Sequence, residues 1–151
     1  MARYEATRTV DVAASPEAVF AALTDYERLP GWQANVRCCE VLTRDAEGRG
    51  EEVAYEVDAK VKTVRYALRH DYDEPHRIGS TYLHGDFRHF EGHYDIATRA
   101  GGCTVTLRLA IDPGLRLPGP MVRIVNEAVM GRALSQLRDH VESPQEAPLG
   151  R

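Results

Sequence analysis

Lysine is almost missing from this 151-residue chain: it occurs only at Lys60 and Lys62, and the rest of the 19 basic residues are arginine. Those bases face 23 acids, a formal net charge of −4. An acidic balance of this kind argues against an overall nucleic-acid-binding footprint, so no nucleic-acid partner is expected. No apolar run approaches the roughly 20 residues of a transmembrane helix. Residues 1–7 carry no apolar core and no signal-peptide pattern, so a cytoplasmic protein is the expectation. Cysteine is scarce and odd in number, at Cys38, Cys39 and Cys103, which fits a reducing compartment. Neighbours such as Cys38 and Cys39 point to opposite faces of a strand and make a poor shared metal site. A Gly-rich phosphate loop, a nucleophile elbow and a dinucleotide fingerprint are all lacking, which sets those enzyme classes aside. Neither metal nor cofactor is implied.

What is present is ordinary for a globular domain, with 43% hydrophobic and 28% charged residues. A chain of this length buries roughly two-thirds of its unfolded surface and needs no disulfide to fold. The reading is one domain over 1–143, followed by a flexible tail over 144–151 that is rich in proline and poor in apolar residues.

Alternation of apolar and polar residues predicts a strand over 4–12, with Arg8 unexpectedly on the apolar parity. Ser15, Pro16 and Glu17 form a helix start, and Val19, Phe20 and Leu23 its apolar stripe. A second short helical turn follows Asp25 and breaks at Pro30-Gly31. Six further strands are predicted at about 36–44, 51–59, 61–72, 77–84, 87–98 and 103–111, at hairpin spacing, so the sheet is antiparallel. Gly92 inside a strand pattern suggests a bulge or strong bend. A Pro/Gly loop over 113–121 carries Leu115, Leu117, Pro118 and Met121. A long amphipathic helix over about 121–142 closes the chain, its apolar face built from residues such as Val122, Val129 and Leu137. The fold class is therefore α+β: a seven-stranded curved antiparallel sheet, two short helices and a long C-terminal helix. A straight helix covers only part of a concave sheet, and the remainder becomes a cavity.

Three segments carry a family resemblance: Val10-Asp11-Val12-Ala13-Ala14-Ser15-Pro16-Glu17-Ala18-Val19-Phe20, then 23–32, then 85–94, together with the final helix. Over about 3–143 the chain resembles the START-related helix-grip (SRPBCC) superfamily of polyketide cyclases/dehydrases, coenzyme Q-binding carriers and pollen-allergen-like proteins. The resemblance implies the helix-grip fold and a hydrophobic or aromatic small-molecule ligand held inside the cavity. Two activities are compatible with it: polyketide cyclase/dehydrase-like acid/base chemistry, and non-catalytic carriage of a lipid or quinone. Fold alone does not choose between them.

Residue parity names the candidates. Trp32, Tyr55, Tyr66, Tyr82, Phe90 and Tyr94 form the candidate ligand-binding set, although Leu83 competes with Tyr82 for the inward face. Tyrosine is costly in a core unless its hydroxyl finds a partner, so a partly polar cavity explains these better than plain packing does. His70 shares a face with Val64, Tyr66 and Leu68. His70 and Tyr66 are the candidate catalytic pair, since a dehydrating cyclisation needs a group that takes and returns protons near neutrality. The alternative for His70 is a histidine at the wet end of the sheet, bonded to backbone. Arg8 reads either as a carbonyl- or carboxylate-binding group or as a rim residue. His89 and His93 are expected on the outward face of their strand, and with His84 they complete no metal spacing. The 113–121 loop reads either as a lid, with transient membrane contact while a lipid passes, or as a tight connection packed on the sheet.

Overall fold

Period-two patterning forms all seven strands, and their order in sequence fixes the architecture. The structure, a computed structural model, describes residues 4–58, 62–114, 119–120 and 130–143. Strand β1 (Tyr4–Val12) leads into helix α1 (Pro16–Thr24) and a 3-10 turn (Tyr26–Gly31). Strands β2 (Val36–Arg44), β3 (Gly50–Asp58), β4 (Thr63–Asp73), β5 (Arg77–Gly85), β6 (His89–Arg99) and β7 (Gly102–Asp112) follow, and then helix α2 (Arg132–Glu142). One antiparallel sheet runs β1-β7-β6-β5-β4-β3-β2. Each chain neighbour from β2 to β7 is a hairpin partner, and β1 closes the order against β7. The second short helix is a 3-10 turn because Pro30 within it has no N–H to give to an α-helical ladder.

Ser15 caps α1 as its composition demands, its hydroxyl accepting the Ala18 N–H at 3.1 Å. Val19, Phe20 and Leu23 of α1 are buried against β6, β7 and α2, in one cluster with Ile96, Val105, Leu134 and Leu137. Burying each such side chain contributes roughly 1.5–3 kcal/mol. Helix α2 is tied to the start of α1 by Glu142, whose Oε2 accepts the Ala13 N–H at 2.8 Å. Residues 121–129, the first part of the predicted long helix, and Leu115, Leu117 and Pro118 of the predicted lid lie outside the described residues. So does the predicted tail, 144–151. Cys39 and Cys103 are buried while Cys38 is exposed, as opposite strand faces require for the adjacent pair.

The register irregularities lie at places other than Gly92. Register shifts interrupt β2 against β3 at three points and β4 against β5 between Ala67 and Leu68. At Gly92 the pairing with β7 runs through without a bulge, opposite Leu109. Its missing side chain makes room: a Cβ there would stand 2.5 Å from Leu109 Cδ2 and 2.6 Å from Arg108 O. Strand β5 pairs with β6 only from Arg77 to Thr81, so the two strands part toward Gly85. Gly85 turns the chain there with φ +138°, where a side chain would run into the Tyr66 backbone. This parting lies at the end of the sheet where the aromatic residues gather.

Candidate functional site

Strands β3, β4 and β6 send alternate side chains into the space between the concave sheet, the 3-10 turn and α2. They line a partly open cavity of about 130 Å³. Cavities of about 150 Å³ take a single benzene ring. The wall includes Tyr55, Val57, Tyr66, Leu68, His70, Phe90 and Tyr94 from the sheet, Tyr26 and Leu29 from the 3-10 turn, and Ala133 and Gln136 from α2. It contains no Asp, Glu, Lys or Arg among the described residues, but His93, which strand parity places outward, also borders it.

The rings form an ordered row. Tyr55 and Tyr66 are cross-strand partners, and their rings stack with centroids 5.3 Å apart. Phe90 continues the row, stacked on Tyr66 at 5.4 Å. Offset stacks of this kind are worth about 0.5–1.5 kcal/mol beyond their buried area.

His70 is 7% exposed and fully engaged. Its Nδ1 lies 3.1 Å from the Gly79 carbonyl and 3.0 Å from Ser80 Oγ. A carbonyl only accepts, so Nδ1 carries the proton and Nε2 presents its lone pair. The Tyr55 hydroxyl donates to that lone pair at 2.6 Å. Burial pushes the imidazole down to about 4, against the smaller opposing effects of the Gly79 carbonyl and Asp71. Burial likewise holds the Tyr55 hydroxyl well above its usual range. Near neutrality the pair is therefore an uncharged base with a protonated phenol against it.

Tyr26 holds the imidazole from its other side. The two rings lie face to face, centroids 5.0 Å apart and 11° from parallel. The Tyr72 hydroxyl donates to the Gly50 carbonyl at 2.5 Å, so the Tyr26 hydroxyl donates to Tyr72, 2.7 Å away. Burial raises the Tyr26 hydroxyl far above its usual value, and Tyr72 to about 12, so this chain of donors stays protonated. At the α2 end the polar wall is amide: Gln33, Asn35 and Gln136. Gln33 adjoins Tyr94, whose hydroxyl burial pushes up to about 12.

Four of the six sequence-named ring residues, Tyr55, Tyr66, Phe90 and Tyr94, line the cavity together with His70. Two do not. The Tyr82 hydroxyl is taken up by the backbone of Phe87, donating to its carbonyl at 2.6 Å and accepting its N–H at 3.1 Å. It clamps the loop where β5 and β6 part. Trp32 stacks on His140 of α2, centroids 4.6 Å apart and 2° from parallel, which turns it away from the cavity. The hydroxyl that meets His70 belongs to Tyr55, not to Tyr66. Tyr55 stands opposite Tyr66, so both start four residues, about 13 Å of extended chain, from His70; it is the Tyr55 side chain that leans along the sheet and brings its hydroxyl to Nε2. Arg8 does not line the cavity. Tyr26, Ser80, Gln33, Asn35 and Gln136 went unnamed because each lies in a turn, a helix or a mixed-parity stretch, where alternation carries no signal.

Comparison with known proteins agrees with this architecture. A START superfamily protein from Mycobacterium smegmatis superposes with TM-score 0.82 at 25% identity, over 91% of this chain and 97% of that one. The Zhui aromatase/cyclase from Streptomyces sp. R1128 superposes with TM-score 0.80 at 17% identity, over 99% of this chain and 98% of that one. The di-domain aromatase/cyclase BexL of the BE-7585A biosynthetic pathway matches with TM-score 0.68 at 16% identity, over 94% of this chain and 51% of its own length. No curated protein matches the sequence. The family model for polyketide cyclase/dehydrase and lipid transport proteins matches residues 3–142. Sheet, helices, ring-lined cavity and family match meet in one conclusion: this chain is a member of the polyketide cyclase/dehydrase and lipid transport family, a ligand-binding protein of the START/SRPBCC superfamily.

Proposed function

We propose that the chain binds an aromatic, polyketide-like molecule in this cavity and acts on it as a cyclase/dehydrase. His70 is the proton acceptor and donor, and the Tyr55 hydroxyl is its relay. Tyr55, Tyr66, Phe90 and Tyr94 are the proposed ligand-binding wall. The observation that carries the reading is the 2.6 Å hydrogen bond from the Tyr55 hydroxyl to the Nε2 lone pair of a buried, neutral imidazole.

The chemistry follows from that arrangement. A carbon next to a carbonyl loses a proton to the Tyr55 oxygen as Tyr55 passes its own proton to Nε2. The carbanion adds to a second carbonyl of the same molecule and forms the ring bond. The alkoxide so formed takes the proton back from the imidazolium and becomes a hydroxyl; His70 then removes a second proton from the carbon that formed the bond and gives it to that hydroxyl, which leaves as water while the ring double bond forms. His70 ends as it began, and the atoms balance. Tyr26, flat against the imidazole, favours the cationic form at the moment it exists. The uncharged wall excludes water and strengthens each of these interactions.

The test is native mass spectrometry of the protein from its own cells, followed by denaturing extraction. An aromatic polyketide-like molecule, turned over by the wild type and not by His70→Gln, is the expected result. A co-purifying quinone or long-chain lipid that leaves unchanged would replace catalysis with carriage.

A further inference from the structure

The amide end of the cavity carries a donor that the protein itself does not use. Gln33 and Asn35 flank Ala34 ahead of β2, and Gln136 faces them from α2. The Ala34 N–H donates to Gln136 Oε1 at 3.0 Å. That bond fixes which way the amide lies, because only its carbonyl accepts from a backbone N–H. It leaves Nε2 with two N–H groups and, among the described residues, no acceptor. No buried side-chain nitrogen or oxygen of the described residues lacks a partner. Nε2 therefore keeps accessible surface, on a half-buried side chain that lines the cavity where it meets solvent.

The rest of the cavity defines what such a donor can meet. The described wall has no Asp, Glu, Lys or Arg, His70 is neutral, and the other bordering histidine, His93, is held 3.1 Å from Asp95 Oδ2, so a carboxylate entering it would lose its hydration with no lysine or arginine in return. A neutral ligand with an acceptor oxygen suits it. The row Tyr55, Tyr66 and Phe90 offers stacking faces to a ring.

We propose that Gln136 reads a ketone oxygen: its Nε2 donates to the carbonyl of a neutral aryl ketone whose ring lies along the tyrosine-phenylalanine wall. This rests on the ligand-binding reading of the cavity and is independent of whether His70 turns anything over. If His70 does act, a donor on that oxygen takes up the charge that develops when the adjacent carbon loses its proton.

Acetophenone and isopropylbenzene test it, since they share shape and differ by the oxygen. Gln136→Leu weakens acetophenone by about 3- to 10-fold, one hydrogen bond, and leaves isopropylbenzene within about 2-fold. Gln136→Glu keeps the acceptor for Ala34, removes the donor and weakens acetophenone likewise. The carbonyl stretch of bound acetophenone is lowered in the wild type and returns toward its apolar-solvent value in both variants. Equal loss of both probes, or an unmoved carbonyl band, overturns the proposal. So does benzoate binding as tightly as acetophenone. Isopropylbenzene binding without acetophenone overturns it while keeping the cavity as a ligand site. Binding of neither probe overturns both.

Discussion

Lowering the pH should unload stability through His70, by an amount the structure sets. In the unfolded chain this imidazole takes its proton near 6.5; in the folded protein, burial holds it neutral down to about 4. Between those values the unfolded state binds a proton that the folded state refuses, so stability falls as pH drops through that window. Above 6.5 the contribution is fully present. The whole shift corresponds to about 3 kcal/mol, and about 2–3 kcal/mol of it is already lost by about pH 4.5. The assay is urea unfolding of wild type and His70→Gln at about pH 7 and at about pH 4.5, with linear extrapolation. Carboxylates also titrate in this range, but they do so in both proteins and cancel in the difference between the two drops. Near neutrality His70→Gln is less stable by about 1–3 kcal/mol, because the Tyr55 hydroxyl and the Gly79 carbonyl lose their partner. At the acid end that gap closes or reverses. Parallel losses in the two proteins would refute the reasoning, because they would mean that His70 titrates as an exposed histidine does.

Three further substitutions probe the surroundings. Tyr26→Leu removes the ring stacked on the imidazole and the donor to Tyr72, and costs about 2–4 kcal/mol by thermal unfolding, with the His70 ring resonances moving in the same variant. Gly92→Ala places a methyl against Leu109 and the Arg108 carbonyl, and costs about 1–3 kcal/mol by urea unfolding. Tyr82→Phe releases both backbone groups of Phe87 and lowers stability by about 1 kcal/mol, while acetophenone affinity stays within about 2-fold, because Tyr82 is a clamp and not wall.

The strands were readable because period-two alternation is a property of neighbours in sequence. Val53, Tyr55 and Val57, or Val64, Tyr66, Leu68 and His70, declare a shared face without any tertiary knowledge. The cavity followed from geometry alone, a curved sheet against one helix. The pairing within the cavity did not follow. That Tyr55 and not Tyr66 meets His70 depends on which residues of β3 stand beside β4 and on how the Tyr55 side chain leans along it. Trp32 and Tyr82 were misplaced for a related reason. Aromatic character marks a residue that will bury its ring, yet Trp32 finds His140, 108 residues away, and Tyr82 finds the backbone of its own hairpin. Gly92 was read as a bulge or strong bend; the pairing runs through it without a bulge, and its missing side chain makes room for Leu109. Gln136 was invisible because a polar residue on a helix normally faces water.

The central claim is that His70 works as a neutral base inside a ligand cavity. Deuterium wash-in at the methyl group of acetophenone, followed by proton NMR in heavy water, tests it without knowledge of the natural ligand. The account predicts exchange well above the His70→Gln level, level from about pH 7 to about pH 5 and falling through about pH 4. Exchange no faster than in His70→Gln, or a fall centred near the ordinary histidine value of about 6.5, would contradict it.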